Sequence, residues 1–165
     1  KAGLVTFSDK PNTILPADRG RLQLRKILDA LYKEKERFVE ANYELLYMAL
    51  RNNIKSRSLL VFFTNFESSY ALQRVLPLLR KINQKHLLVV VFFENTEVDS
   101  LAAPHPTPTM EEVYTQAIAQ KYIYEKQQLV WELKQYGIYS VLTKPQDLTV
   151  NTVNKYLELK SRGLI

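Results

Sequence analysis

The sequence contains no cysteine. Disulfides, thiolate metal sites and cysteine nucleophiles are therefore excluded, and the absence fits a reducing compartment. Glycine is scarce, with four dispersed residues. Neither a GxGxxG turn nor a P-loop can be written from them, so a standard nucleotide cradle is missing. Histidine is rarer still. His86 opens an apolar run and reads as structural, and His105 sits between two prolines with no partner at metal-binding spacing. Two isolated histidines argue against a Ser/His/Asp site. Long hydrophobic runs are lacking too. The longest, "LLVVVFF" from Leu87 to Phe93, is far short of the roughly 20 residues that a spanning helix needs. No signal peptide is visible. The chain starts without Met and enters "GLVTF" almost at once, so it reads as a fragment of a longer protein.

What is present is ordinary for one globular domain. The chain has 165 residues, 46% of them apolar and 24% charged. That length buries a sizeable core, and a single domain over residues 1–165 is expected. Twenty-three basic and 17 acidic residues give a net charge of +6, which favours acidic partners or an anionic surface. The basic residues are scattered over the polar faces of the expected helices. No block or motif points to nucleic acid.

Hydrophobic periodicity gives the order of elements. Gly3 to Phe7 suits a strand, "SDKPN" is turn chemistry, and Thr13 to Leu15 returns as a short strand with Pro16 at an edge. A helix is expected from Arg19 to Tyr32, with Leu24, Ile27, Leu28 and Leu31 on its inner face. Another should run from Asn42 to Asn53. The strand Ser58 to Phe63 follows, then a helix from Glu67 to Asn83 that Pro77 should kink or split. The strand His86 to Phe93 lacks alternation, as in a parallel sheet covered on both faces. Beyond "APHPTPT" come a long helix from Thr109 to Tyr136 stopped by Gly137, a strand from Ile138 to Leu142 and a final helix from Leu148 to Ser161. Strands alternating with helices predict an α/β chain with a doubly wound, mainly parallel sheet and helices on both faces.

Ligands of such sheets bind beyond the carboxyl ends of the strands. Here those ends are Ser8-Asp9, Thr64-Asn65, Glu94-Asn95 and Thr143-Lys144. The edge gathers the oxygen donors that a hard cation such as Mg²⁺ prefers. The same residue types also end strands and cap helices, and Ser68 or Ser69 suits the cap of the helix that follows. The ten tyrosines and Trp131 fall mostly on helices and read as core and rim.

Several stretches, taken in order, resemble the C-terminal part of a bacterial von Willebrand factor A-like family, the domain of unknown function 58. They are "GLVTFSDK", "RGRLQLRKILDALY", "RSLLVFFTNF", "KHLLVVVFFENTEVDSLA", "TMEEVYTQAIAQKYIYEKQQLVWELKQYGIYSV" and "VNKYLELKSRGLI", the last being the most specific. The resemblance spans essentially the whole chain. It implies a von Willebrand A-like, Rossmann-like fold whose central N-terminal strand precedes Lys1 and is absent from this chain. Strand Gly3 to Phe7 and strand Leu59 to Phe63 would then pair directly, leave a gap, or recruit another chain, which makes a homodimer through an unpaired sheet edge an expectation.

The resemblance also implies a function. Family members are non-enzymatic interaction or adaptor proteins associated with MoxR-type AAA+ ATPases in assembly or chaperone-like work. The resemblance implies a cytoplasmic domain of a kind often tethered to the membrane by helices upstream of it. Their metal-ion-dependent adhesion site uses an Asp-x-Ser-x-Ser loop, a Thr and an Asp. The loop would precede Lys1, the Thr position near Asn42 has no Thr, and the Asp position is Asn65. Thr64 and Asn65 are the remnant of a degenerate metal site. No cofactor is expected, with Mg²⁺ binding reserved for the intact protein. Partner binding is expected at Ser8, Asp9, Asn42, Thr64, Asn65 and Glu94. The alternative is a Mg²⁺-dependent phosphoryl-transfer enzyme on the same sheet, using Asp9 and Glu94.

Overall fold

A computed structural model describes residues 1–35, 39–66, 68–103 and 109–165. His105 and the remainder of 104–108, together with Glu67 at the expected start of a helix, lie outside the described residues. The chain divides into two compact units, Lys1–Ser56 and Arg57–Ile165.

The first unit holds a hairpin and two helices. β1 (Ala2–Phe7) pairs antiparallel with β2 (Pro11–Asp18), with Thr6 opposite Thr13 and a register shift beside Phe7. The returning strand is longer than its sequence suggests, because Pro16 is accommodated within an edge strand. α1 (Gln23–Lys33) contacts both strands. Its inward row is not the expected leucine row. Gln23 is buried and donates from Nε2 to the carbonyls of Ala2 and Pro16, at 2.8 and 2.9 Å. Ile27 and Ala30 continue that row as half-buried residues, at the spacing of one helix face. Just beyond the helix, Glu34 extends the row. Its Oε1 accepts hydrogen bonds from the hydroxyls of Thr6 and Thr13. Leu24, Leu28 and Leu31 consequently remain exposed. α2 (Tyr43–Asn53) buries Leu46 and Leu50, and the Tyr43 ring meets Phe7 edge-on at 5.6 Å.

The second unit is α/β, with a three-stranded parallel sheet in the order β3-β4-β5. β3 (Leu59–Phe63) and β5 (Tyr139–Thr143) flank β4 (Leu87–Phe93). Leu59 aligns with Leu87, and Val89 with Tyr139. β4 is buried from Leu87 to Phe92, which accounts for its unbroken apolar run. Alternation divides it between two layers. Leu87, Val89 and Val91 share a core with Val141 and with Leu159 of α6 (Leu148–Ser161). Phe92 meets Phe66 edge-on on the other face, the side of α3 (Ser69–Lys85) and α5 (Met110–Gln135). Right-handed crossovers in a sheet that advances steadily from β3 to β5 put α3 and α5 on the same face.

Local chemistry sets the ends of these elements. Ser68 caps α3 by accepting from the Ala71 N–H. Pro77 lies inside α3, which nonetheless runs continuously as a helix. Thr109 and Glu112 form a capping box at the start of α5. Gly137 ends that helix at φ +68°, with Gly137 N–H donating to the Lys134 carbonyl and Ile138 N–H to that of Leu133. This is a Schellman stop. α4 (Thr96–Leu101), which periodicity did not reveal, is a short helix capped by Asn95. No helix among the described residues is long and apolar enough to cross a membrane.

Candidate functional site

The expected site residues fall into two groups, one in each unit. In the first, Ser8 and Asp9 open the turn between β1 and β2. Ser8 Oγ donates to Asp9 Oδ1 at 2.8 Å, and the Ser8 carbonyl accepts from the Asn42 N–H at 2.8 Å. Asn42 Oδ1 accepts from the Leu45 N–H and so caps α2. Asn42 therefore performs the capping work that Asn favours at such a position.

In the second unit, Thr64, Asn65 and Glu94 lie at the carboxyl ends of adjacent parallel strands. The Thr64 N–H extends the ladder to the Val91 carbonyl at 3.1 Å, and the Glu94 N–H does the same to Thr143 at 3.0 Å. The side chain that organises this edge comes from α5. Lys126 is 3% exposed. Its ammonium donates to Asn65 Oδ1 at 2.7 Å and to the Phe66 carbonyl, and it lies 5.4 Å from the centre of the Tyr122 ring. Hydrogen bonds from a charged donor are about twice as strong as neutral ones, and they offset part of the cost of burying an ammonium.

A pocket of about 180 Å³ lies beside this contact, lined in part by Glu94, Asp99, Tyr122, Lys126 and Lys144. Lys144 Nζ is 3.3 Å from Asp99 Oδ2. Asn95 also lines it, but its side-chain oxygen is committed to the N–H groups of Glu97 and Val98. Thr143 is buried and accepts from Asn151 Nδ2 at 2.8 Å, so its hydroxyl serves the packing of α6. His86 is buried where α3 passes into β4, and its N–H donates to the Ile82 carbonyl.

A metal fits these donors poorly. Asn65 supplies a neutral oxygen that an ammonium already approaches. Among the described residues, no group of three His, Asp or Glu side chains converges as metal ligands would. Lys126 was missed in the sequence, although a signal existed. It falls four residues after Tyr122 and three before Leu129, so a lysine stands in the row that carries the buried leucines of α5. Trp131, expected with the tyrosines in core and rim, is 68% exposed and so lies outside the core.

No protein-family model, curated protein or solved structure matches the chain.

Proposed function

We propose that the chain is a non-enzymatic protein-interaction domain of the von Willebrand A type, acting as an adaptor for a MoxR-type AAA+ ATPase. The observation that carries the interaction reading is the leucine row of α1. Leu24, Leu28 and Leu31 are 66, 56 and 49% exposed. They follow helical spacing, and a contiguous apolar row of this kind marks a contact surface. The hydrogen bonds of Gln23 and Glu34 hold the opposite row against the hairpin, which fixes the leucines outward.

The parallel sheet with helices on both faces supports the fold side of the reading. The choice of an ATPase as partner, and a membrane tether elsewhere in the protein, rest on the resemblance. Ser8, Asp9 and Asn42 in one unit, and Thr64, Asn65 and Glu94 in the other, are the further contact residues of this reading. A Mg²⁺-dependent phosphoryl-transfer enzyme would need Asp9 and Glu94 on one ion, and no observation in either unit favours it.

The test is a calorimetric titration with a purified MoxR-type AAA+ ATPase. Saturable binding is expected, weakened about tenfold or more by Leu24→Glu combined with Leu28→Glu. Circular dichroism of the variant should be unchanged, because both positions are exposed. A wild-type chain that does not bind would remove the ATPase from the account. Equal binding by the variant would remove the leucine row.

A further inference from the structure

The carboxyl ends of β3 and β4 carry Thr64, Asn65 and Glu94, oxygen donors of the kind that hard cations take. Yet the ion at this edge is the protein's own. Lys126 Nζ donates to Asn65 Oδ1 at 2.7 Å and to the Phe66 carbonyl. At 3% exposure it is held in the packed layer between α5 and the strand ends, rather than resting loosely on the surface.

Its place in the sequence says the same. The buried residues of α5 are Ala119, Lys126, Leu129 and Leu133, so the lysine interrupts an apolar row. An ammonium in such a row is costly unless fixed acceptors receive it. A side-chain amide and a backbone carbonyl do so here. The identity of residue 65 agrees with this arrangement, since a neutral amide oxygen suits an ammonium well and a divalent ion less well. A second cation at the same oxygen would have to compete with the ammonium that already donates to it.

We propose that Lys126 is the resident cation of this edge. Contacts made at Thr64, Asn65 and Glu94 are therefore independent of divalent metal and survive chelation. The role of those contacts in partner binding rests on the adaptor reading above, but the identity of the cation does not. It can be tested on the chain alone.

The experiment is residue-resolved NMR with Mn²⁺ as a paramagnetic probe, on the wild-type chain, Asn65→Asp, and Asn65→Asp combined with Lys126→Gln. For the wild type, no selective broadening is expected at residues 64–66. Asn65→Asp should behave alike, because Lys126 then pairs with the new carboxylate. The double variant, with the ammonium gone and a carboxylate in place, should broaden selectively at residues 64–66 at millimolar Mn²⁺. Selective, saturable broadening of the wild type at those residues would overturn the proposal. So would a folded double variant that responds no more than Asn65→Asp alone. If the double variant fails to fold, the wild-type result still decides. A separate titration of the AAA+ ATPase with and without chelator reads the adaptor side. Loss of binding in chelator would contradict metal independence, whereas no binding in either condition would count against the partner alone.

Discussion

The two units are held together by different means. In Arg57–Ile165, β4 is buried from Leu87 to Phe92 and covered on both faces, with Leu72, Leu79, Leu129, Leu133 and Leu159 all buried around it. In Lys1–Ser56, the buried apolar residues among those described are Leu46 and Leu50 alone. There α1 is fastened by Gln23 and Glu34 through hydrogen bonds to strand carbonyls and threonine hydroxyls. Apolar burial is non-directional and scales with area, so it makes a core that resists small changes. Polar fastening is directional. It fixes which side of a helix faces inward and can leave an apolar row free. The first unit has given up core for surface, and the second has the reverse character.

The comparison can be broken first at Phe92. Phe92→Ala should destabilise the second unit by about 3–5 kcal/mol, as for other large-to-small core changes. Urea denaturation measures it. Leu28→Ala in the first unit should stay within about 0.5 kcal/mol, because that side chain is exposed. Comparable losses at the two positions would mean that the leucine row is core after all.

A somewhat smaller effect is expected at Lys126. Lys126→Ala removes the buried partner of Asn65 and Phe66 and opens space in the layer, at a cost of about 2–4 kcal/mol. A loss under about 0.5 kcal/mol in the same denaturation series would show that the ammonium is not fixed there.

Gln23 sharpens the contrast within the first unit. Gln23→Ala leaves the carbonyls of Ala2 and Pro16 without this donor, which should cost about 1–2 kcal/mol. Hydrogen exchange should show the loss in the hairpin and α1 before any change in β4. Uniform loosening of both units would contradict the view that each has its own fastening.

The smallest effect concerns α6. Glu158 lies below the usual carboxyl value of 4.5, chiefly because it accepts a hydrogen bond from Lys155 and feels that residue's charge, with Arg162 adding to both effects. Its folded pKa is lowered, so the stability from these pairs is present above 4.5 and lost as pH falls through the folded value. An NMR titration of Glu158 should show the low midpoint, and Lys155→Met should raise it toward 4.5. An unmoved midpoint would assign the shift elsewhere.

Much of the second unit was legible because burial on both faces writes a plain pattern. "LLVVVFF" has no alternation, and α3 before it keeps a 3.6-residue period in its buried residues Leu72, Val75, Leu76 and Leu79. Gly137 and Ser68 marked their helix ends through the special geometry that stops and caps require. The first unit was less legible for an equally physical reason. Periodicity assigns the most apolar row of α1 inward, but Gln23 and Glu34 make directional bonds that turn a different row to the hairpin. A polar anchor does not announce itself in a hydrophobic pattern. α4 was hidden because one and a half turns are too short to show a period. At the candidate edge, the strand ends were visible from polar residues after apolar runs. Lys126 comes from a helix some sixty positions away in sequence, and only packing brings it to Asn65.

The most direct test of the interaction reading is hydrogen–deuterium exchange of the chain alone and with a saturating MoxR-type AAA+ ATPase. The account predicts new protection in α1 around residues 24–31 and at the strand ends near 64–66, with β4 already protected in both states. Exchange that is identical with and without the ATPase, at concentrations where the two proteins are shown to be in excess of any weak affinity, would contradict it.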